Sequence, residues 1–245
     1  MDAIIPYLRK LPQRGRVVVL TGAGVSQESG LDTFRDNDGL WEQYSIYDVA
    51  TPEAWARNPA LVQRFYNERR RQLLGVIPNE AHEYLVKLEE MYDVNIITQN
   101  IDNLHERAGS TKVVHLHGEL SKARSTEDES LIYDIQGWEL SMEARCDLGF
   151  RLRPHVVWFG ESVPMMRVAE EIVREADILL VIGTSLSVYP AAGLVYEISG
   201  GVPVVLVDPD ELNVSGLNDL FHIRKKATEG VKNLVLKMLE YQKDG

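Results

Sequence analysis

The sequence predicts an α/β fold: a mostly parallel sheet covered on both faces by helices, with a smaller lobe formed by two insertions. Three observations carry that reading. Short apolar, β-branched runs alternate with segments of helical spacing, the pattern of parallel strands buried on both faces. The first such run stops at a glycine turn, TGAG, as a strand does where it gives way to a helix. Two regions break the alternation, roughly Asp32 to Asn79 and Arg124 to Gly149, and such breaks mark inserted structure.

RVVVL (Arg16–Leu20) reads as a buried strand entering the glycine turn. In Asn58–Leu74 the residues Leu61, Val62, Phe65, Tyr66, Arg69 and Leu73 recur at helical spacing. Asn79–Tyr92 is a second helix with Asn79 as its N-cap. Val94–Gln99, Lys112–His117, Asp177–Thr184 and Val202–Asp208 read as further buried strands, with AEEIVREA and EGVKNLVLKMLEYQ as helices beside them. Residues 1–31, 80–120 and 155–245 are expected to form the sheet domain. Residues 32–79 and 121–154 are expected to form the smaller one.

The 245 residues suffice for a sizeable core. Against 26 Lys and Arg stand 37 Asp and Glu, a net charge of −11. That excess argues against a nucleic-acid-binding surface and suits a basic partner, such as a lysine-bearing protein segment. A single cysteine, Cys146, excludes an internal disulfide and fits a reducing compartment. No apolar run is long enough to span a bilayer, and the first residues carry scattered charges with no small-residue cleavage site. A soluble cytoplasmic protein with no nucleic-acid or membrane partner is expected; the sequence carries no signal for an oligomeric state.

In LTGAGVSQESG, Gly22 and Gly24 let the backbone turn tightly and approach a phosphate, and the helix beginning near Val25 offers free N–H groups to a pyrophosphate. Gln27 occupies the place of the third glycine of the dinucleotide fingerprint, so the turn alone also reads as an unliganded strand-to-helix connection. Gly183, Thr184 and Ser185 end a later strand, and ligands collect at such strand ends. Gln99, Asn100, Asp102 and Asn103 form a polar cluster at another strand end. They suit either ribose hydroxyls and a carboxamide or the capping of the helix that carries His105. His115 and His117 share a face of one strand, and His117 precedes Gly118, where the chain can turn toward a site. His117 is therefore a candidate general base, with a structural histidine as the other reading.

TGAGVSQESGLDTFR, TQNIDNLHERAG, HLHGEL, LRPHVVWFGE and IGTS stand in one order from about Val17 to Asp208, and together they resemble the sirtuin family. ATPEAWARNPALVQRFYNERRRQL and RPHVVWFGE followed by YPAAG are most similar to bacterial NAD-dependent protein deacylases of the class III, desuccinylase/deacetylase type. The resemblance implies a Rossmann-like NAD-binding domain and a cleft between it and the smaller lobe. By motif match, Ala23, Gly24, Phe34 and Arg35 line the loop over the nicotinamide ribose and phosphates. Gln99, Asn100 and Asp102 bind ribose and nicotinamide, Gly183, Thr184 and Ser185 meet the phosphate and adenosine side, and Ala227 closes the adenine pocket. Asp208 stands where the family often has Asn; its carboxylate still accepts from ribose hydroxyls and disfavours a 2′-phosphate, which implies NAD over NADP.

The implied reaction consumes NAD. The acyl oxygen of a modified lysine displaces nicotinamide, His117 acts as base on the ribose hydroxyls, and the products are free lysine, nicotinamide and O-acyl-ADP-ribose. A mono-ADP-ribosyltransferase or NAD glycohydrolase is the nearest alternative. Val157, Trp158, Phe159 and Gly160 are expected to form an extended segment to which a substrate strand adds by main-chain hydrogen bonds. Trp158 and Phe159 face opposite sides of it, so that one flanks the lysine stem and the other packs in the core. Tyr66 and Arg69 share a helix face. The class III pattern implies that they bind the distal carboxylate of a succinyl or malonyl group; helical geometry alone reads Tyr66 as core and Arg69 as one of a solvated arginine run.

Most sirtuins carry two cysteine pairs for a structural zinc in the second insertion. This chain has RSTED, with Ser125 and Asp128, and RCDLG, with Cys146 alone. One thiolate cannot make a four-cysteine site, so zinc is predicted absent. Leu131, Ile132, Tyr133, Ile135, Trp138, Leu140 and Met142 are expected to hold the insert by apolar packing in its place.

Overall fold

The computed structural model describes residues 2–31, 44–212 and 214–243. Phe34 and Arg35, expected over the cofactor, lie outside the described residues.

A short helix, α1 (Ile5–Leu8), precedes β1 (Arg16–Thr21), which leads through the glycine turn into α2 (Gly24–Gln27). Helices α3 (Ile46–Val49), α4 (Pro52–Arg57) and α5 (Pro59–Gly75) follow, then α6 (Glu80–Leu88), β2 (Asp93–Thr98), α7 (Leu104–Ala108) and β3 (Val113–His115). Strands β4 (Gly118–Ser125), β5 (Ile132–Asp134) and β6 (Leu152–Val156) come next. The chain closes with α8 (Met166–Arg174), β7 (Ile178–Ile182), a 3-10 turn at Ala191–Tyr196, β8 (Val204–Val207), β9 (Leu220–Ile223) and α9 (Ala227–Lys243).

The helix starts are written in the sequence. Thr51, Asn58 and Asn79 accept the amide hydrogens of Ala54, Leu61 and Ala81 at 3.1, 3.1 and 3.0 Å. Each satisfies a donor that the first helical turn cannot, and Pro52 and Pro59 occupy first positions, where no N–H is needed.

Six parallel strands form one sheet in the order β3-β2-β1-β7-β8-β9. Its strands are apolar on both faces because both are covered. Val17, Val19, Ile178 and Leu180 pack with Leu85, Leu88, Leu234 and Met238 of α6 and α9. Val18, Leu20, Leu179 and Val181 pack with Ala169 and Val173 of α8 and Leu194 of the 3-10 turn. Each buried aliphatic side chain contributes roughly 1.5–3 kcal/mol relative to exposure. The second sheet is antiparallel, in the order β5-β4-β6. A third apolar cluster joins α3–α5 to Leu104, Leu120, Val156 and Trp158. No described helix is long and apolar enough to cross a membrane.

Three elements differ from expectation. The predicted strand Lys112–His117 is shorter, Val113–His115, and Leu116–His117 turn into β4 of the other sheet. Gly118 makes the turn possible: its φ is +78°, and a Cβ there would lie 2.2 Å from the carbonyl oxygen of His155. The predicted helix Asn79–Tyr92 stops at Leu88. Strand β9 was not anticipated, because its half-buried edge position leaves LFHI without a clean alternation.

Candidate active site

The chain reverses its direction of winding at β1 and β7: β2 and β3 extend the sheet to one side, β8 and β9 to the other. The crevice outside the carboxyl ends of the strands at such a reversal is where open α/β sheets take ligands. The expected residues lie along that edge in sheet order. His117 follows β3; Gln99, Asn100 and Asp102 follow β2; Gly22, Ala23 and Gly24 follow β1; Gly183, Thr184 and Ser185 follow β7; Asp208 follows β8 and Ala227 comes after β9.

At the reversal the glycines interlock. The amide of Gly24 donates to Gly183 O at 2.8 Å, and that of Gly22 to Ile182 O at 3.0 Å. A Cβ on Gly22 would stand 2.6 Å from Thr184 Cβ, one on Gly24 2.8 Å from Gly183 Cα, and one on Gly183 2.5 Å from Val25 N. Gly183 also has a φ of +60°. The three glycines let the ends of β1 and β7 pack backbone to backbone at the edge of the crevice. That edge and the neutral amides beside it suit a dinucleotide.

The β2 end is bound to the glycine turn by its own side chains. Asn100 Nδ2 donates to Gly22 O and to Ser26 Oγ, both at 3.1 Å. Ser26 Oγ donates to Asp102 Oδ2 at 2.9 Å, and Gln99 Nε2 donates to Thr184 Oγ1 at 3.0 Å. With their N–H groups engaged, Gln99 and Asn100 keep their amide oxygens as acceptors. Buried Asp102 also accepts from the Leu104 amide at 3.1 Å, at the start of α7. Burial pushes its carboxyl above the usual range, against the Leu104 and Ser26 hydrogen bonds. Ser26 was not singled out from sequence. Its signal was its place one turn into the helix after the glycines, on the face toward the strand ends.

Both histidines of HLH reach back to this segment. The Nδ1–H of His117 donates to Gln99 O at 2.9 Å, and that of His115 to Asn100 O at 3.1 Å. His115 Nε2 also meets Glu106 Oε1 at 2.7 Å. With acceptors on both ring nitrogens, His115 is placed to favour the imidazolium. Burial pulls its pKa down, but Glu106 and Glu119 raise it above the ordinary value. His117 has no such carboxylate. Burial lowers its pKa, only partly offset by the Gln99 carbonyl, so the ring is neutral with Nε2 available to take a proton.

The turn that carries His117 leads to the second group of residues. The Val157 amide donates to His117 O at 2.9 Å, the Phe159 amide to Ala50 O at 3.0 Å, and the Trp158 amide to Glu161 Oε2 at 2.7 Å. The expected extended segment is corrected here. The strand ends at Val156, and Phe159–Gly160 turn, with Gly160 at a φ of +92°. These three amides are used internally. Trp158 is buried and Phe159 is exposed. The indole N–H of Trp158 donates to Tyr66 Oη at 3.1 Å, and the Arg153 guanidinium lies 3.2 Å over its ring. Tyr66 is buried on α5, while Arg69 is half-buried one turn on, its guanidinium 6.0 Å from the Phe65 ring.

In the insert, Leu140 packs with Ala123, Cys146 and Leu152, flanked by Leu131, Tyr133 and Ile135. Ile132 and Trp138 are exposed, contrary to expectation, and Met142 is half-buried. Polar anchors from α5 supply much of the attachment instead. Gln63 and Asn67 donate to Leu140 O at 2.8 and 3.1 Å, and buried Arg70 donates to Leu120 O and Trp138 O, both at 2.7 Å. Burial lowers the pKa of Arg70 to about 10. Ser125 Oγ accepts from the Glu127 and Asp128 amides at 3.2 and 3.3 Å. Burial pushes the Cys146 thiol up, and hydrogen bonds from Ser125 and the Leu148 and Phe150 amides bring it below its ordinary value. Among the described residues, no group of three or more His, Cys, Asp and Glu is placed to hold a metal ion.

Residues 22–190 match the Sir2 family. A Bacteroides thetaiotaomicron protein named NAD-dependent protein deacylase is 50% identical over 223 residues, 89% of this chain and 95% of its own length. A Helicobacter pylori protein of the same name is 47% identical over 227 residues, 91% of this chain and 97% of its own. Among solved structures, a complex of a Sir2 homologue with NAD superposes with a TM-score of 0.87 at 36% identity, covering 98% of this chain and 94% of that one. A Sir2 protein with a deacetylated peptide and an O-acetyl-ADP-ribose gives 0.78 at 32% identity, covering 98% and 97%.

Proposed function

The chain belongs to the Sir2 family, and on that premise we propose that it is an NAD-dependent protein-lysine deacylase that removes acetyl, succinyl and malonyl groups. The observation that carries the reading is the neutral imidazole of His117, tied through Nδ1 to Gln99 at the end of the crevice. NAD, when bound, supplies an electrophilic ribosyl carbon and is consumed. The chain's own residues do the rest. Gly22, Ala23 and Gly24, with Phe34 and Arg35, line the nicotinamide ribose and phosphates, and Gly183, Thr184 and Ser185 meet the phosphate and adenosine side. Asp208 and Ala227 hold the adenosine side, and Asp208 selects NAD over NADP by repelling a 2′-phosphate. Gln99, Asn100 and Asp102 orient the nicotinamide half with the acceptors that their internal hydrogen bonds leave over. His117 Nε2 takes the ribose hydroxyl proton.

Residues 1–31, 80–120 and 155–245 form the NAD-binding lobe, and 32–79 with 121–154 the smaller one. Val157, Trp158, Phe159 and Gly160 flank the acylated lysine, with exposed Phe159 beside its stem. Tyr66 and Arg69 receive the distal carboxylate, since an arginine one helical turn from a phenol suits a carboxylate met end-on. The net charge of −11 suits lysine-bearing protein substrates and not nucleic acid. The single cysteine supports a reducing compartment, the cytoplasm, and an insert without zinc. The test is NAD-dependent turnover of acetyl-, malonyl- and succinyl-lysine peptides by wild type and Arg69→Met. Selective loss of the two acidic substrates supports the acyl assignment; equal loss, or none, contradicts it.

A further inference from the structure

We propose that Trp158 sets acyl specificity by orienting the Tyr66 hydroxyl: its indole N–H fills an acceptor site of the phenol oxygen and leaves the phenol O–H to be given to a carboxylate. The inference rests on the reading of Tyr66 and Arg69 as the site of the distal carboxylate.

An indole nitrogen only donates, so in the 3.1 Å contact between Trp158 Nε1 and Tyr66 Oη the phenol is the acceptor. Its own proton then needs a second partner. Tyr66 is 3% exposed, yet among the described residues no acceptor receives that proton. A buried hydroxyl donor without an acceptor costs about 1–3 kcal/mol, and a ligand that supplies the acceptor recovers it. The chemistry of that ligand follows from the surroundings. Burial raises the phenol's pKa despite the nearby charges of Arg69 and Arg153, so the group is a neutral donor throughout the working pH range. Arg153 is paired with Glu161 at 2.7 Å, and a phenol donor beside the Arg69 guanidinium suits an anionic oxygen better than an apolar methyl.

The donor on Trp158 is held from several sides. Its amide is tied to Glu161 Oε2 at 2.7 Å, Arg153 stacks 3.2 Å over its ring, and the Trp55 ring lies 5.7 Å away. Glu161 also accepts from Arg153 Nη1 at 2.7 Å and Arg124 Nη2 at 3.2 Å. The indole is thus fixed before substrate arrives, and it fixes the phenol in turn. Nonspecific core packing would not require an N–H at this position; the orienting role does.

The test uses Trp158→Phe, Tyr66→Phe and the double variant. It adds a protein carrying β-(3-benzothienyl)alanine at 158, which keeps the indole's shape and removes only its N–H. The readout is the ratio of kcat/KM for succinyl-lysine over acetyl-lysine peptide, with KM and kcat separated. Loss of one oriented, charge-assisted hydrogen bond predicts a roughly tenfold fall in that ratio, carried by the succinyl KM, in the benzothienyl protein and in Tyr66→Phe. The double variant should fall no further than Tyr66→Phe. An unchanged ratio in the benzothienyl protein while Tyr66→Phe falls overturns the inference and leaves the carboxylate reading standing. Falls that multiply in the double variant also overturn it, because the two residues then act independently. If wild type and Arg69→Met share one ratio, the carboxylate reading fails and the inference fails with it.

Discussion

The imidazole of His117 and the main-chain carbonyl of Gln99 are joined by a 2.9 Å hydrogen bond from Nδ1–H, which leaves Nε2 as the ring's only proton acceptor. Because burial lowers the His117 pKa, the base is unprotonated above a value under the ordinary 6.5. The limb of kcat/KM assigned to this base should rise with pH below that value and be flat by pH 7. His117→Tyr should abolish turnover with the circular dichroism spectrum unchanged. A limb centred above pH 7, or turnover retained in the variant, would remove the base from the mechanism.

The ion pair of His115 with Glu106 predicts a pH-dependent stability. The folded pKa of His115 is raised, so its contribution is fully present below the unfolded value and is lost as pH rises through the folded one. Wild type should exceed Glu106→Gln in stability most clearly near pH 6, with the gap narrowing as pH rises. Glu106 is 39% exposed, which discounts the gap to about 1 kcal/mol or less. Denaturant titrations at several pH values measure it; a gap that widens with pH would contradict the charge state given to His115.

Gly183→Ala should cost about 3 kcal/mol, because it combines a positive φ of +60° with a Cβ 2.5 Å from Val25 N. It should also raise the KM for NAD, since the same contact positions the glycine turn. Equilibrium unfolding that places the alanine variant within about 1 kcal/mol of wild type would show that the strand ends are not interlocked as described.

The insert should hold together without metal. A chelator should leave the melting temperature unchanged, and purified protein should carry zinc well below one ion per chain. Arg70→Met, by contrast, leaves the carbonyls of Leu120 and Trp138 without their donor and should cost about 2–3 kcal/mol, with faster amide exchange near Leu140. Stoichiometric zinc, or unfolding on chelation, would contradict this account of the insert.

The parallel sheet was legible because strands buried on both faces leave uninterrupted apolar runs such as RVVVL and DILLVIGT. Its edge strand β9 was not, since half-burial erases the pattern. The glycine turn could be found in the sequence, but its reason could not: Gly22 and Gly24 are needed because Gly183, distant in the chain, packs against them. Likewise HLH gave the two histidines a common face but no way to tell which is charged. That depends on Glu106, which α7 brings to His115 and not to His117. Arg70 read as one of a solvated arginine run and is instead buried at the root of the insert. Spacing within a helix does not say what covers it.

The central claim is that NAD is cleaved in order to accept an acyl group from lysine. Mass spectrometry of the ribose-containing product, after incubation with NAD and acetyl- or succinyl-lysine peptide, tests it most directly. The account predicts O-acyl-ADP-ribose in equal amount to free lysine peptide and nicotinamide, and none of the three with His117→Tyr. Free ADP-ribose with the peptide still acylated, or ADP-ribose attached to the peptide, would contradict it.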